Sequence, residues 1–314
     1  MPGILQSALD PAGVQASRIE WLWWLMFWVT AVIFVLVIGA VALAVRRGRS
    51  TEALRPTEAT LSRGVSVATV ASLFILIGLL FASVITGRAV GSPPGMPPLM
   101  VQVTGYQWWW SIEYLDPSPS QHFTTANELH LPIGRPIVLN LVASDVIHSF
   151  WVPRLHGKTD LVPGRLNTAW LQVDEAGVFR GQCAEYCGLQ HAHMGLVIVA
   201  EPQDAYDRWA AAQRQNAQRA SADAEKRGEE LVERGPCAMC HTVRGTTAAA
   251  RTAPDLTHFA SRSTIAAAML PNTRENLQRW IADPQHIKPG NRMPATGLSE
   301  QQLQSVVAYL ETLR

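Results

Sequence analysis

The chain lacks an excess of either charge and contains few cysteines. Its 314 residues include 26 basic and 25 acidic side chains, which leave a net charge of +1. Nucleic-acid binding requires a basic surface, so no nucleic acid is expected as a partner. The four cysteines form two pairs. Each pair belongs to a pattern typical of a bound cofactor, which argues against a disulfide framework.

Charge is absent from two long apolar runs, residues 21–45 and 64–87. Each run exceeds the roughly 20 residues that cross a bilayer as a helix. A buried helix of a soluble protein is the alternative for either run alone. Two runs in succession favour a transmembrane hairpin with helices at about 21–45 and 64–87. No cleavable signal peptide is expected, since the first run is too long and no basic segment precedes it.

The segment between the two runs is rich in arginine. Its basic side chains, set against only two glutamates, are Arg46, Arg47, Arg49, Arg55 and Arg63. Short basic loops remain in the cytoplasm. We therefore expect a two-helix protein of the bacterial inner membrane, in contact with lipid. Both termini, the lead-in at 1–18 and the globular domains would lie on the periplasmic or outer face.

A proline-rich connector at 91–98 is followed by short runs of β type. The candidate strands are 99–115, 137–142, 168–173, 178–182 and 195–200. Turn signals separate these runs, and no helical pattern intervenes. Several short strands of this kind predict an all-β sandwich or barrel.

Residues 181–194 concentrate soft and borderline metal donors. These are Cys183, Cys187, His191, His193 and Met194, and His148 lies upstream. Thiol, imidazole and thioether donors favour copper over magnesium, calcium or manganese. Two alternatives remain at this point: a disulfide between the two cysteines, or a Cys2His2 zinc site, which does not ordinarily include Met.

A second cofactor pattern lies near the C-terminus. Cys237 and Cys240, followed at once by His241, form the Cys-x-x-Cys-His run typical of covalent haem c attachment. The two thiols can reach the two vinyl groups, which places the histidine under the iron. A thioredoxin-like pair would need a βαβ context, and a zinc ribbon would need a second cysteine pair.

The sixth haem ligand should be a Met or His further along the chain. Met293 is the predicted ligand, and Met269 and His258 are the alternatives. A helix is predicted from Thr273 to residue 281 by its capping-box-like start, and another after Ser299 by apolar periodicity. The C-terminal segment therefore predicts an all-α haem domain. Residues 203–227 before it are interpreted as a polar helix or a hinged tether.

The spacing Cys183-x3-Cys187-x3-His191-x2-Met194, with His148 upstream, resembles the binuclear CuA centre of cytochrome c oxidase subunit II. The resemblance implies a cupredoxin-like Greek-key domain. It implies that both thiolates bridge two coppers, that each histidine binds one copper, and that the methionine is a weak axial ligand. His193, described above, matches no ligand position in the family.

Two further residues take roles from the same resemblance. Glu185 would bind copper through its backbone carbonyl, and its side chain would bind a magnesium ion at the boundary with subunit I. Trp108, after Gln107, matches the tryptophan through which electrons enter from cytochrome c. Trp109 and Trp110 are interpreted as packing residues. Relatives carry a Glu before a Trp near the second helix, and no Trp follows Glu58 here, so Glu58 receives no role.

The order of segments resembles subunit II of caa3-type oxidases. The boundaries are 1–95 for the N-terminal segment and hairpin, 96–202 for the CuA domain, 203–227 for the linker and 228–314 for the class I cytochrome c domain. The resemblance implies electron transfer from cytochrome c or another donor, through haem c and CuA, to subunit I. That subunit would reduce oxygen to water and pump protons, and subunit III is a further expected partner.

Two other functions remain compatible with the sequence. One is the electron-accepting subunit of a nitric oxide reductase with CuA, or a membrane-tethered relative of nitrous oxide reductase. The other is a membrane-anchored sensor or binding module with haem and with a disulfide or zinc at the first cysteine pair. In each case this chain carries no oxygen-reducing site of its own, since it has no histidine-rich transmembrane helix.

Overall fold

A computed structural model describes residues 6–48, 57–91 and 99–314. Arg49 and Arg55 of the predicted cytoplasmic loop lie outside the described residues, as does the predicted boundary at 95/96. The chain divides into two compact units. One comprises Ser17–Ser92, and the other comprises Met1–Ala16 together with Pro93–Arg314.

The first unit consists of two long helices, α1 (Val14–Gly48) and α2 (Glu58–Gly91). Each contains an 18-residue stretch of high mean hydropathy, 2.8 and 2.5, and no residue of either stretch is buried. The core helix of a soluble protein would bury those side chains, so the exposed apolar surface supports the predicted membrane hairpin. Both helices are longer than the apolar runs, because backbone hydrogen bonding continues into the polar flanks.

The first turn of α1 belongs to the second unit and is attached to its β-domain. The amides of Ala12 and Ala16 donate to the carbonyls of Arg154 (2.8 Å) and Leu155 (3.3 Å). Gln15 is fully buried, and its Nε2 donates to the carbonyl of a β-domain residue at 2.9 Å. The first amides of a helix have no partner within the helix. Here β-domain carbonyls supply one, a contact that the sequence did not predict.

The β-domain contains ten strands in two five-stranded sheets. The strands are β1 (Leu99–Tyr106), β2 (Trp109–Leu115), β3 (Phe123–Ala126), β4 (Glu128–Pro132), β5 (Ile137–Ala143), β6 (His148–Trp151), β7 (Thr159–Leu161), β8 (Asn167–Leu171), β9 (Gly177–Cys183) and β10 (Gly195–Glu201). One sheet has the order β3-β2-β1-β5-β8 and the other β4-β10-β9-β6-β7.

The sheets bury one face of each strand in a common core. Most neighbouring strands are antiparallel, but β1 pairs with β5 and β10 with β4 in parallel. In β1, β2 and β5 burial alternates residue by residue, the period of two expected for a strand with one covered face. Fully buried side chains of this core include Trp110, Ile112, Leu129, Leu139 and Phe150. The predicted cupredoxin-like β-domain is confirmed.

Several strands differ from the predicted runs. Residues 99–115 form a hairpin, because the chain reverses at Gln107 and Trp108 between β1 and β2. Four strands, β3, β4, β6 and β7, were not predicted. Each has only three to five residues and mixes polar with apolar side chains, so no alternation identifies it.

Part of the predicted linker is a helix, α3 (Gln203–Gln213). It packs on the β-domain through Trp209, whose ring stacks on His130 with centroids 4.1 Å apart. This part of the segment is therefore seated on the sheet and not free in solvent.

The C-terminal domain is helical, as predicted. Its helices are α4 (Asp223–Arg234), α5 (Arg274–Ala282), α6 (Pro284–Ile287) and α7 (Glu300–Leu310). A two-stranded ladder, β11 (Thr264–Ile265) with β12 (Leu270–Pro271), is an addition to the prediction. The predicted cap at Thr273 is confirmed, since its Oγ1 accepts the Asn276 N–H at 3.3 Å. Ser299 Oγ caps α7 in the same way, accepting the Gln302 N–H at 3.3 Å.

Helices α4 and α7 pack closely where Gly228 of α4 contacts α7. A Cβ at Gly228 would overlap the Ser305 carbonyl and lie 2.8 Å from Tyr309 Cβ. Alanine is favoured over glycine inside a helix by about 1 kcal/mol, but overpacking against backbone costs more. We expect Gly228→Ala to lower the free energy of unfolding by about 2 kcal/mol net.

Thermal unfolding of the full chain, followed at the haem absorbance, measures this effect. Lys226→Ala, on the exposed face of the same helix, is the control and should melt with the wild type. A Gly228→Ala melting temperature at or above the wild-type value would contradict the close α4–α7 contact.

Candidate copper and haem sites

The copper-ligand loop lies between two paired strands. Strand β9 ends at Cys183 and β10 begins after Met194. The Cys183 N–H donates to the Met194 carbonyl at 2.9 Å, which closes the loop. Strand β6 pairs with β9 so that Phe150 lies opposite Cys183. This register brings His148, at the start of β6, to the same end of the sheet.

The predicted copper donors converge at this end. The Sγ atoms of Cys183 and Cys187 are 3.8 Å apart. His148 Nδ1 lies 3.9 Å from the first sulfur and His191 Nδ1 lies 3.7 Å from the second. Met194 Sδ is 3.9 Å from the second sulfur. Each sulfur therefore has one imidazole nitrogen beside it, at nearly the same distance for the two cysteines.

Backbone and burial complete the donor set. The Glu185 carbonyl oxygen is 3.2 Å from Cys183 Sγ, and its role as a copper ligand stays a prediction. Both cysteines, His148 and Met194 are buried. The sulfur–sulfur distance of 3.8 Å far exceeds the ~2.05 Å of a disulfide. A donor set of thiols, imidazoles and a thioether fits copper better than a structural zinc site.

The contacts of Cys183 with Cys187 and His148 shift the pKa values of Cys183 and His148. The hydrogen bond from the Cys187 thiol, aided by one from His148, lowers the pKa of Cys183 although burial opposes this. For His148, burial favours the neutral ring, but Cys183 and Asp145 together raise its pKa. Copper binds thiolate and neutral imidazole. The lowered pKa of Cys183 favours the thiolate before metal binds, and the raised pKa of His148 means that its ring must lose a proton when metal binds.

Asp145 supports the site and was not identified from the sequence. Its Oδ1 accepts from His148 Nε2 at 2.9 Å and from the Val146 amide at 2.8 Å. Its Oδ2 accepts from the Gln107 amide at 2.8 Å. A carboxylate on the distal nitrogen fixes the tautomer and direction of a ligating histidine. Its position three residues before His148 was the available signal.

Glycine makes room for His148 on the neighbouring strand. A Cβ at Gly105 of β1 would lie 2.8 Å from His148 Cδ2. That separation is too short for real carbon atoms, so a larger residue would displace the ring.

Trp108 is bonded directly to the ligand loop. Its indole Nε1 donates to the Cys187 carbonyl at 2.9 Å, and Gln107 Nε2 donates to the same oxygen at 2.8 Å. Trp110 is fully buried in the β-domain core, and Trp109 stacks on a neighbouring tyrosine. Those two are packing residues, as predicted. The role of Trp108 in electron transfer stays a prediction.

The haem motif presents an oriented histidine. His241 Nδ1 is 2.7 Å from the Pro254 carbonyl, so this nitrogen donates and Nε2 remains for iron. Burial lowers the pKa of His241, which favours the neutral ring that binds metal. Cys237 is half-buried, Cys240 is exposed and both are free. Within residues 203–314 the strands have two residues each, so no thioredoxin-like βαβ context surrounds the pair.

The predicted axial residue lies in the loop between α6 and α7. The Met293 amide donates to Asn291 Oδ1 and its carbonyl accepts from Gln285 Nε2, both at 2.8 Å. The alternative His258 is buried, and carbonyls 2.7 and 3.0 Å away occupy both its ring nitrogens. Met269 lies half-buried beside β12. The residues fit a covalent haem c, and Met293 stays the predicted ligand.

No further metal donor accompanies Glu185 within residues 6–48, 57–91 and 99–314. Its side chain is exposed and accepts from the Tyr186 amide at 3.3 Å. One carboxylate is too few for magnesium, so the shared magnesium site stays a prediction.

The two sites define a membrane-anchored protein that carries copper and haem c. A family model described as cytochrome c oxidase subunit II, periplasmic domain, matches residues 115–201, and one described as cytochrome c matches residues 225–314. The chain is 35% identical to cytochrome c oxidase subunit 2 of Alkalihalophilus pseudofirmus, over 98% of this chain and 91% of that one.

Two further similar proteins are a second subunit 2 and a solved periplasmic domain. Cytochrome c oxidase subunit 2 of Bacillus sp. (strain PS3) is 37% identical over 69% of this chain and 62% of that one. The crystal structure of the periplasmic domain of subunit II from Bradyrhizobium japonicum is 30% identical over 40% of this chain and 96% of that one, with a TM-score of 0.36. The chain belongs to the cytochrome c oxidase subunit 2 family and is thus one subunit of an oxidoreductase complex.

The carboxylate of Asp145 can be tested as a support for copper. In Asp145→Asn a single oxygen must serve donors that two oxygens serve now, so His148 loses its fixed direction. We expect copper affinity to fall about 10- to 100-fold. Metal analysis after equilibration with graded chelator concentrations measures this. Asp160→Asn, an exposed aspartate of the same domain, should bind like the wild type. Equal affinity of both variants would exclude the supporting role.

The axial haem ligand can be identified with two matched variants. Methionine ligation raises the haem potential, so Met293→Leu should lower the midpoint potential by on the order of 100 mV. Met269→Leu should leave it unchanged. Spectroelectrochemical titration of the purified chain measures both. A fall in Met269→Leu alone would assign the ligand to Met269 instead.

Proposed function

We propose that this chain is the subunit through which electrons enter a proton-pumping haem–copper oxidase. Electrons pass from a donor, through haem c and a binuclear CuA site, to subunit I. The observation that carries this proposal is the pair of hydrogen bonds made by Trp108, one to each domain. Its indole N–H bonds the Cys187 carbonyl at 2.9 Å. Its own carbonyl accepts from Lys288 Nζ of the C-terminal domain at 2.7 Å. One residue thus links the haem-bearing domain to the copper ligands.

The symmetry of the donors supports two coppers. Cys183 and Cys187 would hold the two metals, and His148 and His191, which lie beside different sulfurs, would bind one metal each. When bound, copper and haem each accept and release one electron. The side chains hold the donor atoms in a buried, preformed arrangement and exclude water. Little rearrangement then accompanies the change of charge, because the surrounding dipoles are already fixed.

The attachment of the N-terminal segment to the β-domain supports a location of both on the same face of the membrane. Ala12 and Ala16 are bonded to the β-domain, and two spanning helices return the chain to the face on which it began. Arg46 and Arg47 in the last turn of α1, with Arg63 near the start of α2, would face the cytoplasm. Both sites would then lie on the periplasmic or outer face.

The terminal reaction takes place on other chains. The first histidine of the sequence is His122, so neither α1 nor α2 can hold a haem by histidine. Subunit I would supply the oxygen-reducing site, subunit III would be a further neighbour, and the Glu185 carboxylate would contribute to a magnesium ion at the boundary with subunit I.

The order of electron flow can be tested in the purified complex. In Cys187→Ser the donor should still reduce haem c, but oxygen consumption should fall at least 100-fold. Haem c should then remain reduced at steady state. Cys237→Ala with Cys240→Ala should instead lose covalent haem while copper is retained.

Absorbance of haem c during turnover, together with an oxygen electrode, gives both readings. Wild-type oxygen consumption by Cys187→Ser would refute passage through the copper site. Consumption of nitric oxide but not oxygen by the wild-type complex would make subunit I a nitric oxide reductase.

A further inference from the structure

The C-terminal domain is bonded to the β-domain at a point away from the copper ligands. Glu128 of β4 is buried, and its Oε2 accepts from the Ser263 amide at 2.9 Å and from Ser263 Oγ at 2.6 Å. Glu128 Oε1 also lies 3.2 Å from His130 Nε2. A carboxylate with this many partners is fully satisfied. The contact therefore fixes one edge of the interface.

A second contact involves an unusual backbone turn. Ala266, Ala267 and Ala268 have φ angles of 55°, 60° and 61°, a left-handed conformation that residues with a Cβ rarely adopt. The turn points successive carbonyls at the β-domain. The Ala267 carbonyl accepts from the Gly195 amide at 3.1 Å, and the Ala268 carbonyl accepts from Arg180 Nη1 at 2.8 Å.

Lys288 joins this turn to the copper domain. Its Nζ donates to the carbonyls of Trp108 (2.7 Å), His193 (2.8 Å) and Ala266 (3.3 Å). Three carbonyls match the three N–H donors of an ammonium group. Two of them belong to the β-domain, in the β1–β2 turn and the ligand loop. The third belongs to the C-terminal domain itself.

The burial of this cation is costly. Lys288 is 3% exposed, and it has no ion-pair partner among residues 6–48, 57–91 and 99–314. Burial lowers its pKa to about 7. A methionine would fill the same space without desolvating a charge. The three N–H donors of the ammonium group are therefore what lysine offers at this position and methionine does not.

The residues after Lys288 pack against the copper-ligand loop and against Trp108 in the turn between β1 and β2. The Pro289 carbonyl accepts from Gln190 Nε2 of the ligand loop at 2.7 Å. A Cβ at Gly290 would lie 2.9 Å from Leu189 Cδ2 and 3.9 Å from Trp108 Cη2. The same segment continues to Met293, the predicted haem ligand. Lys288 thus anchors the loop segment 288–293, which contacts the copper-ligand loop and ends at the predicted haem ligand.

Other contacts at this surface are weaker. Arg292 lies 3.4 Å from Asp145, but its side chain is 68% exposed. Exposed ion pairs contribute little to stability. The chain has only three lysines, and the other two, Lys158 and Lys226, are exposed. Lys288 is therefore the buried lysine of this surface, and its three carbonyl contacts add to those of Arg180 and Glu128 between the two domains.

We propose that Lys288 is a positioning residue that locks the C-terminal domain over Trp108, which favours electron transfer from haem c and closes Trp108 to soluble donors. The roles of haem c and copper rest on the proposed function above. The docking itself does not, since it can be measured without turnover. Two opposite changes are expected when the lock is removed. Transfer within the chain slows, and direct reduction of copper from outside becomes faster.

Lys288→Met in the full-length chain, with haem and copper bound, tests the lock. Hydrogen exchange at the Gly195 amide, which is bonded to Ala267, should become at least tenfold faster. The rate of copper reduction after photoreduction of haem c should fall at least tenfold. Direct copper reduction by a soluble cytochrome c should rise at least tenfold. The copper and haem absorption bands should persist, which shows that both sites remain assembled in the variant.

Matched variants make each outcome decisive. Lys226→Met removes an exposed lysine of the same domain and should match the wild type in all three measurements. Lys288→Arg keeps the charge and several donors, so it should lie between wild type and Lys288→Met, and it replaces the methionine variant if that chain does not fold. Unchanged exchange and rates in both Lys288 variants would overturn the lock.

The lock and the proposed function fail in different ways. Slower internal transfer without faster external reduction would show general loss of structure and would also overturn the lock. If haem c in the wild type never reduces copper, the proposed function fails. The hydrogen-exchange result would then still decide whether Lys288 holds the two domains together.

Discussion

The copper site depends on the backbone hydrogen bond between the Cys183 amide and the Met194 carbonyl. This bond closes the loop between β9 and β10, so donors that are distant along the chain return to one sheet edge. The pairing of β6 with β9 then sets the position of His148. A shift of either strand by one residue would turn a ligand to the opposite face. The metal geometry is therefore a property of sheet register before it is a property of side chains.

The same loop serves the C-terminal domain from its outer side. The His193 carbonyl and the Gly195 amide flank Met194 and bond the other domain, while the side chain of Met194 faces the sulfurs. The side chains on the inner side of the loop would hold the metal, and the backbone groups on its outer side bind the C-terminal domain. A displacement of the docked domain therefore acts on the peptide groups next to a metal ligand.

The sequence predicted the cofactor-binding residues better than the residues that position them. Ligand spacing, the haem motif, the apolar helices and the capped helices are local patterns, and each was visible along the chain. Lys288 and Glu128 carry no such pattern, since an isolated charged residue is usually solvated, and Asp145 is marked only by its position three residues before His148. Their roles arise from burial and in part from distant partners, which are Gln107 for Asp145, Ser263 for Glu128 and Trp108 for Lys288, at 38, 135 and 180 residues along the chain. The short strands β3, β4, β6 and β7 escaped prediction because pairing, and not composition, defines them.

The seating of α3 limits how far the haem-bearing domain can travel. Trp209 holds α3 on His130, so only the segment from Arg214 to Ala222 joins it to α4. Nine residues span at most about 30 Å when fully extended. A domain released from its contacts would stay within that radius and search a small volume. It would rebind far more often than a protein arriving from solution.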